Sequence, residues 1–143
     1  MGYRYLDEEA PADVAFEATG ATAEELFAAA GDATLNVMVA DLDSIGNRVN
    51  RAVALRDSSL EMLLFQYLQE LIYYKDAERL LLRSRSLKVH RQEDQFLLTA
   101  ELQGEELDPA RHSLQVDVKA VTMYMFRVWW EQETWRATVV LDI

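Results

Sequence analysis

Two stretches of this chain repeat apolar residues at helical spacing, and each opens on a capping box. Strand-like segments surround both, so the fold has to bury two amphipathic helices against β structure. In the first stretch, Thr22-Ala23-Glu24-Glu25 lets the Thr22 hydroxyl accept from a free backbone N–H while Glu25 reaches back. Leu26, Ala30, Ala33 and Val37 then share one face, which predicts a helix to about Met38. Its alanines allow close approach to something flat, such as a sheet. The second begins at Ser58-Ser59-Leu60-Glu61, with Ser58 as the expected cap. Leu60, Leu63, Leu64, Tyr67, Leu68, Leu71 and Ile72 make a continuous apolar stripe, ending near Tyr74 to Asp76.

The remaining segments read as strands. "YRYLDEE" and "DVAFEATG" flank Ala10-Pro11-Ala12, and Gly20 ends the second of them. "DLDSIGN" is loop chemistry, and "RVNRAVALRD" alternates Val49, Arg51, Val53 and Leu55 against Arg48, Asn50, Ala52, Ala54 and Arg56. Beyond residue 79, "RLLLRSRSLKVHR" and "QFLLTAELQG" pair around Gln92-Glu93-Asp94-Gln95, and Gly104 to Pro109 is expected to be a loop. "LQVDVKAVTMYMFRVWWEQ" is rich in β-branched and aromatic residues and is expected to be central. In the last strand, "TWRATVVLDI", Trp135, Ala137, Val139, Leu141 and Ile143 share one face and Arg136, Thr138, Val140 and Asp142 the other. The predicted architecture is one α+β domain over residues 1–143, two helices packed on a mostly antiparallel or mixed sheet.

Composition narrows the function. A net charge of −11 repels nucleic acid at long range and suits divalent cations or a basic partner. No cysteine is present, which removes disulfides, thiolate nucleophiles and thiolate metal ligands. No apolar run reaches the roughly 18–20 residues of a membrane span, and the opening residues lack a signal-peptide apolar region, so the expectation is a cytoplasmic protein without membrane contact. There is no phosphate loop, H-E-x-x-H, EF-hand or G-x-S-x-G motif, and no nucleophile with a positioned base is visible, so a stand-alone hydrolase using Asp13 and Asp142 ranks last among the readings and a non-enzyme first.

A few polar residues stand out. Asp142 precedes Ile143, whose terminal carboxylate puts a second anion beside it, a half-site for a hard cation or a solvated end. Asp13, at the start of an apolar strand, reads either as a turn residue or as a metal ligand. Lys119 lies within the most strand-like segment and calls for a partner or solvent. His90 reads as an edge position, His112 as a surface histidine, and the Met123, Met125, Trp129 and Trp130 group as core or sheet face. Arg79, Arg83, Arg85, Lys88 and Arg91 form the one basic run, read as a charged edge strand in preference to an RNA contact.

Taken in order, these residues resemble the archease family, small proteins that assist the GTP-dependent RNA-splicing ligase. The likeness runs through Ala12-Asp13-Val14, Gly20, Thr22 and "EELF", then "SLEMLLFQYLQELIYY". It continues through Gly104-Glu105 with His112, then Lys119-Ala120-Val121-Thr122, and closes on Leu141-Asp142-Ile143. Ala10-Pro11 stand where the family has His-Thr, and Met123-Tyr124 where it commonly has an aromatic and a histidine. The resemblance implies that Asp13 and Asp142, with the Ile143 terminus, come together on a divalent cation, calcium first and magnesium second, and that Lys119 is a functional lysine. It also implies that the protein promotes guanylylation and multiple turnover of the ligase, its protein partner, and meets RNA only indirectly. The alternative is a divergent, metal-stabilised binding module of the same fold with another partner.

Overall fold

The computed structural model describes residues 2–6 and 13–143. Asp7-Glu8-Glu9 and Ala10-Pro11-Ala12, read above as a strand end and a break, lie outside them. The order is β1 (Gly2–Leu6), β2 (Asp13–Gly20), α1 (Ala23–Met38), β3 (Val49–Asp57), α2 (Leu60–Glu78), β4 (Leu80–Gln92), β5 (Gln95–Glu106), β6 (Ala120–Glu131) and β7 (Thr134–Asp142), with a short 3-10 turn at Leu42–Ser44. The expected antiparallel α+β architecture holds, with the strands divided into two sheets ordered β1-β2-β7-β6 and β3-β5-β4.

Local chemistry explains the helix ends. Thr22 accepts from the Glu25 N–H at 3.1 Å, and Glu25 Oε1 accepts from the Ala21 N–H at 3.1 Å, closing the box. The second cap is Ser59, not Ser58: Ser59 Oγ accepts from Met62 N–H at 3.2 Å, while Asp57 Oδ1 takes the Ser59 N–H at 3.0 Å. Strand residue Asp57 thereby shifts the cap by one. α2 also runs past the expected end, to Glu78, where Arg79 closes it in the left-handed region at φ 57°.

α1 packs on β1, β2 and β7 of the first sheet and reaches β4 of the second; α2 packs on β6 and on β3, β4 and β5. The helices therefore join both sheets through one core that includes Phe16, Phe27, Leu64, Tyr67, Leu98 and Val139. They meet at Gly31, where a Cβ would stand 3.2 Å from Leu71 Cδ1. No helix among the described residues is long and apolar enough to cross a membrane.

Two strand expectations change. β5 continues through Gly104 to Glu106, because Gly104 pairs with both Val49 and Leu82 and a Cβ there would overlap the Leu81 carbonyl oxygen. β6 begins only at Ala120 and is an edge strand; β2 and β7 are the inner ones. Residues 114–119 are instead held by a bridge from Leu114 to Val39 and by Gln115 N–H donating to the Met38 carbonyl at 2.8 Å.

Candidate functional site

The register of β2 on β7 sets Asp13, the first residue of one strand, directly opposite Asp142, the last of the other. Apolar packing determines that register. Phe16 pairs with Val139 and Ala18 with Ala137, all four wholly buried. A slip of one residue would turn this set out to solvent. Directly opposed residues point to the same side of a sheet, so both carboxylates lie on the outer face, with the Glu17–Thr138 and Thr19–Arg136 pairs further along. Asp13, Asp142 and Ile143 are each half-buried, and the Ile143 side chain packs against the core.

Like charges set directly opposite each other destabilise a strand pair, so this end of the sheet calls for a positive counter-charge. Lys119 is beside it: its backbone N–H donates to the Asp142 carbonyl at 2.8 Å, and Ala120 pairs with Asp142 on the side away from β2. Lys119 is exposed and precedes β6, so the expected lysine within a central strand is instead a lysine at an edge-strand start.

The donors this end of the sheet could offer a cation are the two aspartate carboxylates. No three His, Asp or Glu side chains gather into a metal cage among the described residues. Two hard carboxylate oxygens at a water-accessible edge suit calcium or magnesium, which complete their shells with water or a partner's oxygens. They do not suit zinc, which takes nitrogen and sulfur in a closed tetrahedron.

Lys75 holds this region in place and escaped the sequence reading. It lies in the last turn of α2, with its side chain 5% exposed and salt-bridged to Asp76 and Asp117. Nζ donates to Asp117 Oδ1 at 2.6 Å and to the Val118 carbonyl at 2.8 Å. Burial pulls its pKa down, but the hydrogen bonds to Asp117 and Asp76 outweigh that and leave it raised. Lys75 thereby pins the two residues before Lys119. The signal was present: Lys75 continues the Leu68, Leu71, Ile72 spacing, placing a cation on an apolar stripe.

His112 is not a surface residue. It is buried, and its Nδ1 accepts from the Asp108 N–H at 3.0 Å, which leaves Nε2 protonated to donate to Glu105 Oε2 at 2.9 Å. Glu105 also takes the Gly46 N–H at 2.5 Å and Arg111 Nη1 at 2.7 Å. The Gly46 N–H, the His112 bond and the Arg111 charge lower its pKa against the opposing effect of burial. This network ties the 107–112 loop to the 45–48 loop beside the second sheet and contains neither Asp13 nor Asp142.

Met123, Tyr124 and Met125 are 53, 60 and 58% exposed, so they are not core. Between the Thr122–Val140 and Arg127–Thr138 pairs, residues 123–126 stand opposite Val139 alone, forming a wide bulge with Met125 at φ 54°. Phe126 turns inward, edge-on to Phe65 at 5.3 Å. Trp130 is 52% exposed at the edge strand's far end. His90 is exposed on edge strand β4, as expected, while Arg83 is forked onto Asp32 of α1 at 3.0 Å.

Comparison with known proteins places these residues in a family. A family model described as the Archease protein family (MTH1598/TM1083) matches residues 3–143. Protein archease of Methanosarcina barkeri is 33% identical over 142 residues, covering 99% of this chain and 95% of that protein. Its counterpart in Pyrococcus abyssi is 31% identical over 141 residues, covering 98% and 99%. The solution structure of Methanobacterium thermoautotrophicum protein 1598 superposes with a TM-score of 0.86 at 30% identity, covering 99% of each chain. The crystal structure of a Thermotoga maritima archease, described as a possible chaperone, shares the fold at a TM-score of 0.63 and 17% identity, covering 96% of each chain. With a family model spanning all but its first two residues and relatives this similar along their whole length, the chain belongs to the archease family.

Proposed function

We propose that this chain is a non-enzymatic, cytoplasmic accessory protein of the GTP-dependent RNA-splicing ligase, promoting its guanylylation and multiple turnover. The observation that carries the reading is the direct opposition of Asp13 and Asp142 beside Lys119. Family membership and the chaperone description of the Thermotoga relative support a protein partner. Asp13 and Asp142 would hold a divalent cation, calcium first, which when bound offsets their repulsion and offers open coordination positions to a partner's oxygens. Lys119 keeps a positive charge at the rim of the site, and Lys75 orients the chain that carries it. The acidic surface steers docking onto a basic, RNA-binding enzyme.

The test is transfer of labelled guanylate to the ligase. Wild type should accelerate it and Asp142→Ala should not; full stimulation by Asp142→Ala overturns the mechanism. The exposed Tyr124 on its bulge favours a second reading, a metal-stabilised binding module for another partner. Calcium binding with no change in ligase turnover would select that one.

A further inference from the structure

The outer face of the second sheet is open among the described residues, and its charge is opposite to that of the chain. Across β3, β5 and β4 its rows read Arg56–Leu97–His90, Ala54–Thr99–Lys88, Ala52–Glu101–Ser86 and Asn50–Gln103–Arg83. Arg85, at the register shift between Ser84 and Ser86, is exposed. Small residues Ala52, Ala54, Ser86 and Thr99 floor two adjoining shallow grooves of about 420 and 410 Å³, which share Ala52 and Glu101. Arg56 stands on one side and Arg85, Lys88 and His90 on the other, two strand spacings or about 10 Å apart. Arg56, Arg85 and Lys88 form no ion pair among the described residues. Glu101 is the one acid in these rows, in a chain with 25 acidic and 14 basic residues. Edge protection explains charge on β3 and β4 but is served by either sign; the concentration of cations on one face of an acidic protein needs another reason.

The geometry points to this trough as a docking face for the sugar–phosphate backbone of single-stranded RNA, a contact that goes beyond the ligase-mediated one and is independent of the Asp13–Asp142 reading. His90 is the one aromatic side chain in these rows, and without Phe, Tyr or Trp the face offers no run of stacking platforms, so its contacts are mainly to backbone, with little sequence preference. RNA alternates anionic phosphates with neutral hydroxyl-bearing riboses. Phosphates meet the cationic walls, and Glu101 on the floor accepts from a ribose 2′-OH. An acidic peptide dense enough to satisfy three cations brings carboxylates against Glu101 and no such hydroxyl. The charge of the whole chain, −11, keeps the interaction weak and sensitive to salt.

Fluorescence anisotropy of a labelled oligouridylate of about 12 nucleotides, with its deoxy counterpart, tests this on the intact protein without ligase. With three cations on phosphate, log affinity should fall against log salt with a slope of about −2. Arg56→Gln with Lys88→Gln should weaken binding roughly tenfold and flatten the slope to about −0.7. Arg4→Gln with Arg127→Gln, the same charge change off the trough, should leave binding within about twofold. Arg85→Gln provides a second trough variant if the first pair melts early by circular dichroism. Glu101→Ala, which removes the acceptor oxygens, should abolish a wild-type preference for RNA over DNA. No binding at low salt, equal losses in the two double variants, equal wild-type affinity for RNA and DNA, or tighter binding of a polyglutamate peptide would each overturn the proposal.

Discussion

Replacing Asp142 by asparagine should raise the stability of the cation-free protein and lower that of the calcium-loaded one. Directly opposed Cβ atoms stand about 4.5–5.5 Å apart, which sets the two carboxylates of the Asp13–Asp142 pair about 6 Å apart. At an effective dielectric constant of about 40–80 for half-buried groups, their repulsion is about 0.7–1.4 kcal/mol. Screening at physiological salt trims this to roughly 0.5–1 kcal/mol. Asparagine keeps the shape, and the Lys119 N–H bond to the residue 142 carbonyl is a backbone bond that survives. Without divalent ions the variant should therefore melt about 1–4 °C higher. At a calcium concentration about 100 times Kd, wild type gains about 2.7 kcal/mol, or roughly 5–11 °C, and the variant gains little. The order of melting temperatures should reverse between chelator and calcium. Circular dichroism melts of wild type, Asp13→Asn and Asp142→Asn in both conditions read this directly. A variant that melts below wild type in chelator, or that calcium stabilises as much as wild type, refutes the reasoning.

Lys75→Met should cost about 2 kcal/mol, since it strands the Val118 carbonyl while Asp76 and Asp117 return to water; Asp117→Asn should cost about 1 kcal/mol or less. Denaturant titration distinguishes the two, and hydrogen exchange at the Lys119 amide should speed up in Lys75→Met if Lys75 positions that segment. Glu105 has a folded pKa below its ordinary value, so its stabilising effect is complete above about pH 4.5 and is lost as pH falls through the lowered folded value. Glu105→Gln should flatten that acid limb of a stability-versus-pH curve, and an unchanged limb would remove Glu105 as its cause. Gly104→Ala should destabilise by more than about 3 kcal/mol, because its Cβ has nowhere to go against the Leu81 carbonyl; a soluble variant with wild-type melting would contradict the register of β4 on β5.

Both helices were legible because their signals are local: a capping box and a 3.6-residue stripe need no knowledge of the partner surface. The bounds of β2 and the parity of β7 were legible for the same reason, since alternation alone separates Leu141 from Asp142. Asp57 moved the cap from Ser58 to Ser59 through a hydrogen bond from a preceding strand, which a helix-centred pattern does not contain. The apolar, aromatic content of β6 suggested a central strand, yet it lies at an edge, with Tyr124 in solvent and only Phe126 of its bulge turned inward. Composition records how well a residue fits a sheet, not which neighbours the sheet supplies. His112 and Lys75 are polar residues whose burial is made tolerable by distant partners, Glu105 in one case and Asp117 in the other.

By itself, the sequence determined the α+β class, both helices and the outward parity of Asp142, while the family resemblance nominated Asp13, Lys119, Asp142 and Ile143 as candidate site residues. Only the tertiary structure decided that the strands form two sheets, that Asp13 faces Asp142, and that the Lys119 backbone N–H bonds the Asp142 carbonyl from an edge-strand start rather than from within a central strand. Periodicity is written in neighbouring residues. Pairing between the first residue of one strand and the last of another is settled by how Phe16, Ala18, Ala137 and Val139 share a core, and that information exists only once the chain has closed on itself.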